Sequence, residues 1–138
     1  MRIEAEAARR RLGSARVAVL ATVSEAGRPH LVPFTFAQDG DIIYTAVDAK
    51  PKSTRDLRRL SNIRRDPRVS VLADCYDEDW TALWWVRADG AAAIIDDPAE
   101  MTGPLRLLAG RYPQYQASPP AGPVIAIVVT RWTGWSAS

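Results

Sequence analysis

Residues 16–47, RVAVLATVSEAGRPHLVPFTFAQDGDIIYTAV, hold three β-rich runs broken only by SEAG and QDGD. Short turn-forming breaks of this kind read as hairpins, and a hairpin forces its two strands to run antiparallel. Leu31, Pro33 and Thr35 alternate with Val32, Phe34 and Phe36, as in a strand with two differently used faces, whereas VAVLATV is apolar on both sides. Three further runs follow: PRVSVLADCY, then TALWWVRADGAAAII with a bend expected at Gly90, then GPVIAIVVTRW. Hairpin-linked strands in this number close into a small antiparallel barrel more readily than they build a parallel sheet.

Helices are confined to the margins of this pattern. Residues 3–12 read as a short helix. DDPAEMTGPLRLLAGRY starts with a helix signal at Asp97-Pro98, and Gly103-Pro104 predicts that it stops after one or two turns. PQYQASPPAG reads as a proline-rich surface loop. The remaining helix begins near Ser53, where Asp56 three residues later has capping-box spacing, and it turns Leu57, Leu60 and Ile63 toward the core.

That last helix also concentrates the charge. The chain of 138 residues has a net charge of +2, yet Lys50–Arg68 holds eight basic and two acidic residues. The rest of the chain is therefore acidic on balance, and the partner expected is a local anion. Lys50 and Lys52 flank Pro51 just before the helix start, where free backbone N–H groups and the positive dipole end favour an anion. A solvated helix start is the plain alternative. Nucleic acid fits poorly, because one face of the helix must pack and no aromatic RNA-binding pattern accompanies it.

Conventional catalytic machinery is hard to find. His30 is the sole histidine and Cys75 the sole cysteine, so neither a zinc cluster nor an intramolecular disulfide can form. Cys75 reads as a small buried residue, His30 as a surface or packing residue. Asp77, Glu78 and Asp79 read as a solvated turn, and neither a nucleophile elbow nor a Gly-rich phosphate loop is present. Trp84 and Trp85 are adjacent on a strand and must face opposite ways, so one is expected at a ligand or a subunit interface. No apolar run reaches the ~20 residues of a membrane span, and MRIEAEAARRRLG lacks the apolar stretch of a signal peptide. The expectation is a cytoplasmic chain forming one domain over 1–138, with its chemistry supplied by a cofactor.

The segments VAVLATVSEAGRPHLVPFTF, DIIYTAVDAKPKSTRDLRRLSNIRRDPRVSVLADCY and WWVRADGAA together resemble the split β-barrel flavin- and deazaflavin-binding oxidoreductases, the pyridoxamine-phosphate-oxidase-like superfamily. GRPHLVP, KPKSTRDLRRLSNI, LWWVRADG and the C-terminal RWTGW resemble more narrowly its coenzyme F420-dependent branch. The resemblance implies a mainly β fold, a six-stranded antiparallel split barrel of Greek-key type with a few peripheral helices. It further implies a homodimer with two cofactor sites in grooves between subunits.

Carried over by position, Lys52, Ser53, Thr54 and Arg55 would hold the cofactor phosphate, with Lys50 near its tail. Pro33, Phe34 and Thr35, and then Thr45, Ala46 and Val47, would line the ring. Tyr76, Trp84 and Trp85 would close the groove from the other subunit. The chain lacks the substrate-binding ending of true pyridoxamine-phosphate oxidases, which argues against vitamin B6 as substrate. The local positive charge suits the phosphate and oligoglutamate tail of F420 better than the single phosphate of FMN. FMN-dependent chemistry on the same fold and a non-catalytic F420-binding or storage protein are the alternatives.

Overall fold

The computed structural model describes residues 1–47 and 54–138, with side chains described from Arg58 onward in the helix that opens the second part. Helix α1 (Ala5–Ser14) precedes the hairpin of β1 (Ala18–Val23) and β2 (Pro29–Phe34). The SEAG signal builds that turn: the Ser24 N–H donates to the Arg28 carbonyl at 2.9 Å and the Arg28 N–H to Ser24 Oγ at 3.0 Å. Gly27 takes a φ of 77°, which a side chain would disfavour. Strands β3 (Ala37–Asp39) and β4 (Ile42–Ala46) form the second hairpin, followed by α2 (Thr54–Arg65), β5 (Arg68–Cys75) and β6 (Trp84–Ile95). Helices α3 (Pro98–Arg111) and α4 (Pro113–Ala117) then lead to β7 (Val124–Ser136).

All the pairings are antiparallel, in one sheet of order β2-β1-β5-β6-β7-β4-β3. Its two edge strands are consecutive in the chain, joined only through Thr35 and Phe36, so the sheet must curl round on itself. The fold is the expected mainly β antiparallel barrel with peripheral helices, but the described residues form seven strands where six were expected. The run PHLVPFTFA is divided between the two edges: β2 pairs with β1 and β3 with β4, and Thr35 and Phe36 between them belong to neither ladder. Leu20, Phe34, Phe36, Ile43, Val71, Val86, Ile125 and Ile127 fill the interior, each an inward position of its strand or of the turn between edges.

Helix α2 packs through Leu60 and Ile63, 5% and 3% exposed, each burial stabilising by about 1.5–3 kcal/mol. Beside them Asn62 donates from Nδ2 to Thr22 Oγ1 at 3.0 Å, so α2 is held to β1 by both apolar and polar contacts. Strand β6 bends where expected, with a register shift between Asp89 and Gly90. A Cβ at Gly90 would sit 2.1 Å from the Val128 carbonyl oxygen, an approach only glycine allows.

Two expectations fail around α3. The helix starts as predicted, with the Asp97 carboxylate accepting from the Ala99 N–H at 3.2 Å, but it continues through Gly103-Pro104 for 14 residues. Pro104 removes one backbone donor, and the burial of Leu108 with Met101 and Leu105 against β3, β4 and β7 offsets that loss. The start of the predicted loop is likewise helical, since Tyr112 and Tyr115 anchor α4 in the same cluster.

Candidate functional site

The ring-lining residues implied by the resemblance meet where the chain passes from β2 to β3. Thr45 is 2% exposed, and its Oγ1 donates to the Thr35 carbonyl at 2.8 Å. This bond ties the end of β4 to the turn that joins the two edge strands. Pro33 is exposed and Thr35 half-buried, on the outward face, whereas the Phe34 side chain packs in the core 5.4 Å from Phe36. Only the backbone of Phe34 can therefore face a ligand. Ala46 and Val47 are also buried, with the Val47 N–H donating to the Pro123 carbonyl at 2.9 Å. As an edge strand, β2 pairs on one side only, so a row of its backbone groups is open to a polar-edged planar molecule.

Tyr115 joins this group of residues, which the sequence did not suggest because its segment reads as a loop. Its hydroxyl shares a 2.7 Å hydrogen bond with Thr35 Oγ1. Tyr112 backs it, the hydroxyl donating toward the carbonyls of Arg16 and Phe36 at 2.8 and 3.0 Å and accepting from the Phe36 N–H at 3.1 Å. The spacing of the two tyrosines in RYPQYQ was the available signal, since three residues is about one helical turn.

Tyr76, Trp84 and Trp85 lie elsewhere on the protomer. Cys75 and Trp84 pair across the β5–β6 hairpin, and Trp85 stands opposite Asp74 and Trp135. The adjacent tryptophans do use opposite faces. Trp84 packs against the core under the Arg11 guanidinium, 5.2 Å from the ring centre, and Trp85 is half-buried on the outer side. Tyr76 is 79% exposed. Among the described residues no hydrogen bond or ring contact joins these three to Thr35 or Thr45. Cys75 is half-buried rather than buried, because it ends its strand at the hairpin mouth. The Asp77–Asp79 segment is solvated as expected, and Asp79 caps the 3-10 turn Trp80–Ala82. Hydrogen bonds from the Thr81 side chain and backbone hold its carboxyl below the usual range.

The proposed phosphate holders Lys50, Lys52 and Ser53 lie outside the described residues, as do the side chains of Thr54 and Arg55. Among the described residues no group of three or more His, Cys, Asp or Glu gathers as metal ligands, and no helix is long and apolar enough to cross a membrane.

Comparison with known proteins places this arrangement. A conserved hypothetical protein from Mycobacterium tuberculosis superposes with a TM-score of 0.80 at 26% identity, over 98% of this chain and 86% of that one. A FAD-binding protein from Mesorhizobium loti gives 0.76 at 18% identity, over 97% and 95% of the two chains. The FAD-binding protein of Mycobacterium smegmatis gives 0.71 at 18%, over 98% of each chain. At the lower identities the likeness is one of fold. No curated protein matches the sequence. The family model described as pyridoxamine 5'-phosphate oxidase matches residues 5–136, nearly the whole chain. The chain belongs to the pyridoxamine 5'-phosphate oxidase family.

Proposed function

We propose that the protein is a cytoplasmic, homodimeric oxidoreductase that uses coenzyme F420 to exchange a hydride with a small organic acceptor. The observation that carries this reading is the charge surplus of Lys50–Arg68, eight basic residues against two acidic ones. An anion longer than one phosphate would use that surplus more fully. When bound, the deazaflavin supplies the hydride.

The chain's own residues bind and orient. Lys52, Ser53, Thr54 and Arg55 hold the phosphate at the start of α2, and Lys50 serves the tail. The open backbone edge of β2 with Pro33, Phe34 and Thr35, and the end of β4 with Thr45, Ala46 and Val47, receive the ring. The donor set suits a flat molecule with a polar edge: Thr35 is fixed from two sides by Thr45 and Tyr115. Tyr76, Trp84 and Trp85 close the groove from the partner and exclude water.

The homodimer is supported by an apolar patch on the outer face. Pro33, Val19 and Leu72 stand in register across β2, β1 and β5, with Ala21 and Leu31 beside them. Leu31 is 64% exposed and Leu72 40%, which a second subunit would cover. The FMN reading is favoured by one observation, the likeness in fold to proteins described as FAD-binding.

Parallel titration with F420 and FMN decides between them. F420 is expected to bind more tightly at low salt and to lose its advantage as salt rises, since exposed charges are screened over about 8 Å at physiological ionic strength. Equal affinities at low salt would remove the case for the tail. Hydride transfer to quinones and enones then separates an enzyme from a binder, and sedimentation of a stable, cofactor-binding monomer would end the dimer.

A further inference from the structure

A cavity of about 460 Å³ lies between the Ser24–Arg28 turn and the second half of α2. Arg28, Arg58 and Arg65 line it together with His30, Glu25 and Ser61. Arg65 is oriented by two bonds from Nη2, to the Val23 carbonyl at 3.0 Å and to Asn62 Oδ1 at 3.2 Å. Among the described residues none of the three guanidinium groups forms an ion pair, although Glu25 lines the same cavity. Nδ1 of His30 is enclosed and has no hydrogen-bond partner among the described residues.

Arg65 also interacts with the Asp66 carboxylate outside the cavity, but Arg28 and Arg58 pair with no carboxylate among the described residues, which leaves positive charge in the cavity beside Glu25 alone. The geometry also sets the length of the missing anion. Arg58 and Arg65 share a face of α2 two turns apart, about 10 Å along the axis at about 1.5 Å per residue. One phosphate cannot span that distance, whereas successive carboxylates on a flexible chain can, each matching the planar fork of a guanidinium.

We infer that this cavity binds a short chain bearing several carboxylates. Two sources share this chemistry, a free oligocarboxylate and the glutamate tail of F420. The second rests on the proposed function and the first does not.

The test uses the full chain at low salt. His30 is the sole histidine, so its imidazole NMR signals report on the cavity without assignment of other residues. Tri-γ-glutamate should shift them saturably and bind at least ~10-fold more tightly than inorganic phosphate, since several charge-assisted contacts replace one. The double variant Arg28→Gln/Arg58→Gln should weaken tri-γ-glutamate roughly 10- to 100-fold with an unchanged melting curve. Absence of a saturable shift, equal binding of phosphate, or undiminished affinity in a folded double variant would overturn the inference.

F420 and a deazaflavin truncated before its tail then distinguish the sources. Weakening of only the tailed form by the double substitution identifies the tail. Unchanged binding of both forms, with tri-γ-glutamate binding lost, identifies a free oligocarboxylate. If neither deazaflavin binds the parent while tri-γ-glutamate behaves as expected, the F420 reading falls and the carboxylate site stands.

Discussion

Two arginine-rich regions of this molecule use the same side chain in opposite ways. Between α1 and α3, Arg111 reaches back to the carbonyls of Phe36 and Ala15 and lies 4.8 Å over the Phe36 ring. Arg16 donates in turn to the Arg111 carbonyl at 2.9 Å, and Arg9 pairs with Glu6 and Asp41. Burial, with Arg16 adding to it, holds the Arg111 guanidinium below its usual pKa. Beside the β1–β2 turn, Arg28 and Arg58 make no such contacts among the described residues. The first group is spent on joining α3 to the strand-exchange turn that carries Thr35. The second group lines the cavity proposed to bind a carboxylate ligand. An arginine's role therefore follows from whether backbone carbonyls or carboxylates lie within its reach.

The strongest test of this contrast is Arg111→Ala. It should destabilise the fold by about 2–4 kcal/mol, because the carbonyls it serves lose a charged donor and Phe36 loses its cation. Denaturant melts check this, and a loss under about 0.5 kcal/mol would erase the distinction between the two regions. Next in size is Lys52→Ala, on the ligand side. One charge-assisted contact is worth about 1.5–3 kcal/mol, so cofactor binding should weaken roughly 10- to 150-fold with folding nearly unaffected. Lys50→Ala should cost clearly less. Fluorescence titration measures both, with melts of the apo forms as controls.

Smaller still is the effect of Arg58→Gln on stability, expected within about 0.5 kcal/mol because its side chain is exposed and unpaired among the described residues. A larger loss would mean that Arg58 is structural like Arg111. The smallest effect belongs to Asp66, at the turn between α2 and β5. Side-chain and backbone hydrogen bonds from Arg68 lower its carboxyl to about 2 from an ordinary 3.8. A depressed folded pKa adds stability above the unfolded value and loses it as pH falls toward the folded one. Parent and Asp66→Asn should thus differ slightly above pH ~4 and converge as pH falls to about 2. A constant gap between their acid melts would show that the ion pair is not the source.

What the chain alone determined was set by short-range rules. Turn chemistry at SEAG and QDGD, alternation along PHLVPF, and the apolar spacing of Leu60 and Ile63 each act within a few residues. They suffice for an antiparallel barrel, and the local charge surplus was readable by counting. The assignment of residues to a ring came from the resemblance alone, and the bond from Thr45 to Thr35 and the neighbouring Tyr115 were not legible in the sequence.

Tertiary structure decided where one apolar run had to divide. Nothing within PHLVPFTFA marks a break, and the division at Thr35–Phe36 arises because the two halves pair with different neighbours at opposite edges of the sheet. It also decided that α3 would run through Gly103-Pro104, a local cost offset by packing Leu108 against β4 and β7. The arginines show the same limit. Sequence neighbourhood does not separate their roles, and only the folded positions of the carbonyls of Phe36 and Ala15 bind Arg111 into the structure while leaving Arg28 and Arg58 facing a cavity. Short-range propensity is written in neighbouring residues, whereas the partner of a long charged side chain is whatever the whole fold brings within its reach.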